Sequence, residues 1–378
     1  MQPTTIDRLE TPCLLVEEAR MTRNLDRLRL RLDRLGVTLR PHLKTCKSVE
    51  IARRMMPSPQ GPATVSTLKE AEEFAAAGVR DIMYAVGLAP AKLERVLSLR
   101  RRGVDVSVVI DSREQAAAVA ASSRAAGERI PAFIEIDCDD HRAGVKPGDP
   151  ILVQIGRELH AGGAELRGVM THAGGSYDAI GVAALERAAE AERAGTVAAA
   201  KMLREAGLPC AVVSVGSTPT AHFARDLSGV TEVRAGVYVF FDLVMAGIGV
   251  CDIDDIALSV LTSVIGHQCS KGWILVDAGW MAMSRDRGTA RQAVDQGYGL
   301  ACDASGKAYP DLIMIEANQE HGILALRPGS GATLPDLAVG TLLRILPNHA
   351  CATAAQHDRY RATDGRVVTA VWPRFSGW

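Results

Sequence analysis

Aromatic residues make up only 4% of this 378-residue sequence, and net charge is almost nil, with 43 Lys and Arg against 44 Asp and Glu. No basic stripe interleaved with aromatics is present, so a nucleic-acid partner is not expected. No uninterrupted apolar run approaches the length needed to cross a bilayer, which argues against a membrane protein. The start, Met1-Gln2-Pro3-Thr4-Thr5-Ile6-Asp7, has no basic residues leading into an apolar segment, so no secretory signal is expected. The cysteines, at 13, 46, 138, 210, 251, 269, 302 and 351, include no CxxC pair and no small-domain spacing. They read as reduced thiols of a cytoplasmic protein rather than as a disulfide framework. Internal repeats and low-complexity segments are also absent. What is abundant is apolar sequence, 47% of the chain, enough for a large core at a length natural for two domains.

From residue 39 to about 236, short β-branched runs alternate with Ala/Leu/Arg/Glu-rich helical stretches. The strand candidates are Leu39–Lys44, Ala63–Thr67, Asp81–Val86, Val106–Ile110, Ala132–Asp137, Leu166–His172, Ala211–Gly216 and Glu232–Gly236. Several are apolar at consecutive positions, as parallel strands covered on both faces require. Eight strand–helix units close a (β/α)8 barrel of TIM type. A strand at Cys13–Val16 and a helix at Glu18–Leu35 precede the first unit. Beyond about residue 250 helical patterns almost vanish, and β-like runs separated by Gly and Pro predict a C-terminal all-β domain. The expected division is a barrel over 12–250 and a β domain over 251–378, with residues 1–11 packing on the latter.

In such barrels, active sites form at the C-terminal ends of the strands. Lys44 ends the first strand, where a desolvated amine can attack a carbonyl; the alternative is a lysine reaching to solvent. After the seventh strand, Gly216-Ser217-Thr218-Pro219 combines a permissive glycine with a helix N-terminus, placing Thr218 as the cap and Pro219 at the first helical position. Such a turn suits a phosphate, and Gly236-Val237 after the eighth strand offers further N–H donors. An ordinary well-capped loop is the alternative. In Pro347-Asn348-His349-Ala350-Cys351, residues two apart on an extended segment share a side, so His349 and Cys351 can meet one metal ion. A buried cysteine beside a polar histidine is the competing reading.

Taken together, Arg40-Pro41-His42-Leu43-Lys44-Thr45-Cys46-Lys47-Ser48, Val65–Glu72, His141-Arg142-Ala143-Gly144-Val145, Gly216–Thr220, Asp277-Ala278-Gly279, Asn318–Gly322 and Pro347–Cys351 resemble the D-serine dehydratase and D-threonine aldolase family. These are pyridoxal 5′-phosphate enzymes with the alanine racemase-type fold, fold type III, and the resemblance runs the full length of the chain. It implies that Lys44 carries the cofactor covalently and that His349 and Cys351 bind a divalent metal (Zn, Mn or Mg). It implies that Arg142 meets the cofactor's phenolic oxygen and Arg234 its pyridine nitrogen. Ser217, Thr218, Gly236 and Val237 would hold the phosphate, with Tyr177 near the cofactor. The His-x-Cys pair is the form typical of the dehydratases, whereas the aldolases carry His-x-Asp. The implied reaction is elimination of water from a small-molecule D-β-hydroxy amino acid, by a homodimer. D-threo-3-hydroxyaspartate, giving oxaloacetate and ammonia, is the expected substrate. Its second carboxylate calls for a cation, and Arg285 and Arg287 are the candidates. The alternatives are D-serine as substrate, a D-threonine-type aldol cleavage, or a non-catalytic pyridoxal phosphate-binding protein.

Overall fold

The computed structural model of the protein describes residues 4–378. The chain forms two compact units: Arg27–Gly236 with Ser376–Trp378, and the segment up to Asp26 with Val237–Phe375.

The first unit is a parallel eight-stranded barrel with helices between the strands. Its strands are Thr38–Leu39, Ala63–Val65, Asp81–Gly87, Asp105–Ile110, Pro131–Ile136, Glu165–Thr171, Val212–Val215 and Glu232–Val233. Pro131–Ile136 is buried at every position, as a run covered on both faces must be. Met83, Val109, Phe133 and Met170 pack together from four successive strands. The seam is short. Thr38–Leu39 pairs with Glu232–Val233 for two residues, and closure continues through single backbone bonds. Arg40 and His42 donate to Val233 and Ala235 on one side, while Leu43 donates to Thr64 and Thr64 to Pro41 on the other. The segment expected to be a strand to Lys44 is therefore extended only to His42, and a turn that contains Lys44 opens at Leu43.

The helices follow from local signals. Ser112 and Gln115 form a reciprocal capping box at the start of Arg113–Ala126, and Gly127, at φ 64°, ends it in the left-handed conformation. The longest helix, Val182–Glu205, buries Leu185, Ala189, Glu192, Thr196, Ala199, Ala200 and Leu203, a stripe at three- and four-residue spacing. One member of that stripe is a glutamate.

The second unit is built on a nine-stranded sheet. Leu258–Gln268, Trp273–Val276, Gly322–Leu326, Ala308–Ala317, Gly299–Asp303 and Leu342–Pro347 form a ring that closes where Trp273–Val276 pairs back onto Leu258–Gln268. Cys13–Glu17 pairs with Leu258–Gln268 and, in parallel, with Arg359–Thr363. The early strand expected ahead of the barrel therefore belongs to the β unit. Its pattern of four fully buried residues does not distinguish one buried sheet from another. Four strands were not expected from sequence: Gly299–Asp303, Ala308–Ala317, Gly322–Leu326 and Arg359–Thr363. Ala308–Ala317 hides its character behind Pro310 and an irregularity at Asp311, which sits at φ 55°.

Gly216 illustrates how tight the barrel top is. It lies at φ 143°, and a Cβ there would overlap the backbone of Arg234 on the neighbouring strand. The glycine is demanded by packing against the backbone of Arg234. Gly216→Ala is expected to cost roughly 3 kcal/mol or more, combining backbone strain with a clash that has no flexible partner. Urea unfolding measures it; a midpoint within error of the parent would contradict this packing.

Candidate functional site

At the C-terminal ends of the barrel strands, the structure gathers an unusual set of cations and imidazoles. Lys44 is exposed in the turn after the seam, its N–H directed at His42 Nδ1, 3.4 Å away. The protein by itself does not desolvate this amine. The turn is held from beneath: Lys47 N–H donates to the Leu43 carbonyl, and the Lys47 ammonium lies 3.2 Å from the buried Glu70 carboxylate. His172 Nδ1 is 3.0 Å from the Gly216 carbonyl. Burial pushes His172 down to about 3 and is also the leading cause that holds His42 well below its ordinary value, with Lys44, Arg142 and Arg234 adding repulsion to both. Both rings are thus neutral near pH 7. Neither was given a role in the sequence reading, although His42 stands two residues before Lys44 in a strand-like segment.

The predicted residues are placed as follows. Arg234 is buried, donating from Nη1 to Ser214 Oγ at 2.6 Å and from Nη2 to the Thr171 carbonyl. Arg142 is exposed in the loop after Pro131–Ile136, with Nη2 3.5 Å from Glu135 Oε1. Tyr177 lies in the turn Gly174–Asp178, its ring 6.1 Å from that of His172. The turn at 216–220 differs from expectation. Ser217, not Thr218, is the cap: its Oγ accepts from Thr220 N–H, and Thr220 Oγ1 accepts from Ser217 N–H. The helix that follows, Thr218–Phe223, has six residues, too few for a substantial dipole. Ser217 Oγ is further committed to Ser176 Oγ at 2.8 Å. What the turn leaves for an anion is Thr218, whose Oγ1 is buried without a partner. Gly236 lies close to His42, with a would-be Cβ 3.0 Å from its carbonyl oxygen, and Val237 begins the turn Val237–Val239.

In the β unit, His349 and Cys351 do meet, but not on an extended segment. Strand Leu342–Pro347 ends, His349 caps the helix Ala350–Ala354, and Cys351 sits in its first turn. Asp242 fixes this corner: its buried carboxylate accepts from Ala350 N–H at 2.9 Å and Met245 N–H at 3.0 Å. Asn348 ties it to the neighbouring loop by donating to the carbonyls of Asp286 and Gly297. His349 Nδ1 lies 2.8 Å from Asp286 Oδ2. Burial opposes a charged His349, yet the hydrogen-bonded Cys351 and the carboxylates of Asp286 and Asp242 outweigh it and lift its pKa to about 11. Asp286 stands between the two candidate arginines, and its contact with His349 is tertiary, so no local sequence signal marks it.

The two arginines separate. Arg287 pairs with Asp295 Oδ2 at 2.7 Å and covers the Tyr298 ring at 5.0 Å. Arg285 stacks on Trp280, Cζ 4.3 Å from the ring centre, and has no carboxylate partner among the described residues.

Comparison with known proteins agrees with this arrangement. The model for the alanine racemase N-terminal domain matches residues 16–244, and that for the putative serine dehydratase domain matches residues 257–363. The chain belongs to the alanine racemase-type family. It is 57% identical to D-threo-3-hydroxyaspartate dehydratase of Delftia sp. (strain HT23), with 100% of both chains covered. It is 29% identical to D-threonine aldolase of Arthrobacter sp., covering 97% of this chain and 92% of the relative. A cysteine-to-alanine variant of D-threo-3-hydroxyaspartate dehydratase, solved in a metal-free form, superposes with a TM-score of 0.95 at 55% identity over 99% of this chain and 100% of that one. Among the described residues, no helix is long and apolar enough to cross a membrane.

Proposed function

We propose that the protein is a pyridoxal phosphate- and divalent-metal-dependent lyase that eliminates water from D-threo-3-hydroxyaspartate, giving oxaloacetate and ammonia. The observation that carries this reading is the 57% identity, over the whole length of both chains, to an enzyme named for that reaction. A homodimer in the cytoplasm is the assembly and setting we infer with it.

The residues present fit both groups. Thr218 Oγ1 is a buried hydroxyl with no protein partner, the kind of orphan a phosphate oxygen satisfies. Arg234 is locked in place by Ser214 and Thr171 and keeps its charge, which suits it to face a pyridine nitrogen and leave it unprotonated. Lys44 would hold the cofactor and, once freed, take the Cα proton. Bound pyridoxal phosphate supplies electron withdrawal at Cα, and an arginine at its nitrogen weakens that sink.

Departure of the β-hydroxyl therefore needs help. His349 and Cys351 would supply an imidazole nitrogen and a thiolate to a divalent ion whose Lewis acidity stabilises the leaving hydroxide. Asp286 holds Nδ1, leaving Nε2 as the ligating atom, an outer-shell carboxylate of the kind that orients metal-bound histidines. No group of three His, Cys, Asp or Glu is assembled for a metal among the described residues. A two-ligand site has coordination positions to spare for a substrate hydroxyl.

The same chemistry bears on specificity. In 3-hydroxyaspartate one carbon bears both the hydroxyl and the second carboxylate, so a cation for that carboxylate belongs beside the metal. Arg285 is the neighbour of Asp286 and lacks the carboxylate partner that occupies Arg287.

Two outcomes are expected. Chelation should abolish turnover while the bound pyridoxal phosphate is retained, and His349→Ala should do the same. Full activity in a preparation shown by elemental analysis to be metal-free would overturn the metal role. Arg285→Ala should lower kcat/KM on D-threo-3-hydroxyaspartate by roughly tenfold or more and on D-serine by less than about twofold, with Arg287→Ala affecting the two alike. Equal losses on both substrates in Arg285→Ala would remove it from carboxylate recognition.

A further inference from the structure

Glu192 lies on the long helix Val182–Glu205, outside every motif that marks the site, and is 2% exposed. A carboxylate so deeply buried must be satisfied or it destabilises the fold. Its Oε1 accepts from Ala173 N–H and from Gly216 N–H, each at 3.0 Å. These amides belong to the loops that follow Glu165–Thr171 and Val212–Val215. Burial raises its pKa, while Thr220, the two amides and the nearby Arg234 act in the opposite direction.

The hydrogen bonds along this chain of groups occupy each of its hydroxyls. Thr220 Oγ1 accepts from Ser217 N–H at 3.0 Å, donates to the Ser217 carbonyl at 3.3 Å and lies 3.0 Å from Ser217 Oγ. Ser176 Oγ donates to the Ala173 carbonyl at 2.7 Å, so the proton shared between Ser176 and Ser217 comes from Ser217. Every member is thereby committed to the protein. The hydroxyl left over is Thr218 Oγ1, one residue from the cap and buried without a partner.

We infer that Glu192 is a positioning residue for the phosphate end of the cofactor, clamping the loops at Ala173 and Gly216–Thr220 so that Thr218 faces the phosphate with its hydroxyl unspent. Glu192 itself touches no ligand. The inference rests on the pyridoxal phosphate reading above and adds to it the group that holds the phosphate cup in shape.

The test compares the affinities of the full-length apoprotein for pyridoxal 5′-phosphate and for pyridoxal, which differ only in the phosphate. The parent should prefer pyridoxal phosphate strongly. Glu192→Ala leaves two buried N–H groups unpaired and should weaken pyridoxal phosphate binding by about tenfold or more. Pyridoxal binding should change by less than about twofold, and Glu192→Gln, which can still accept from both amides, should recover most of the preference. Glu192→Asp, whose shorter side chain cannot span both amides, should behave as Glu192→Ala does and serves where the alanine variant is not soluble. Equal weakening of both ligands would mean a merely structural role and overturn the inference. So would an unchanged preference. A parent that binds both ligands equally would instead refute the phosphate site on which the inference stands.

Discussion

The barrel seam is the constraint on which the rest of the first unit depends. Only two residues of Thr38–Leu39 make regular ladder contact, so closure falls to the bonds of Arg40, His42 and Leu43. Because Pro41–Leu43 is tied on both sides, the chain is held in place up to the residue before Lys44. Arg40 reinforces this from inside, with Nε 2.8 Å from Glu232 and Nη1 2.6 Å from Asp81. Removing one partner of a buried pair such as Arg40–Glu232 typically costs about 3–5 kcal/mol, since it strands the other charge. Lys44 is thus presented by a rigid frame even though its own side chain is exposed.

Above that frame, the ends of neighbouring strands are joined by side chains rather than by further strand pairing. Arg234 links Ser214 to Thr171, and His172 reaches the Gly216 carbonyl. The two imidazoles remain neutral because burial and the surrounding cations disfavour a further positive charge. Lys44, Arg142 and Arg234 are the cations that act on both rings. In the β unit the electrostatics run the other way: Cys351, Asp286 and Asp242 converge on His349 and favour its protonated form.

Periodicity in the sequence was enough for the eight barrel strands and their helices, because parallel strands buried on both faces are written as consecutive apolar runs. The ends of Arg113–Ala126 coincide with two local signals, the Ser112 cap and Gly127. The β unit was less readable, since Pro310 interrupts one strand and Cys13–Glu17 joins partners more than two hundred residues away. Among site residues, Lys44, His349 and Cys351 stood out because reactive side chains at strand ends are conspicuous. Asp242 reads locally as the cap that accepts from Met245 N–H, but its bond to Ala350 N–H and that of Asp286 to His349 are tertiary, and no spacing in the sequence announces them. The cap at Ser217 was misplaced by one residue: Ser217 and Thr218 are both cap formers, Ser the better of the two, and the backbone places Ser217 at the cap.

The most direct measurement is product analysis of D-threo-3-hydroxyaspartate with the purified protein, supplied with pyridoxal phosphate and a divalent metal. The account predicts oxaloacetate and ammonia in equal amounts, with no glycine. Glycine and glyoxylate as the main products would mean that the metal pair serves aldol cleavage, and would contradict the assignment of a dehydratase.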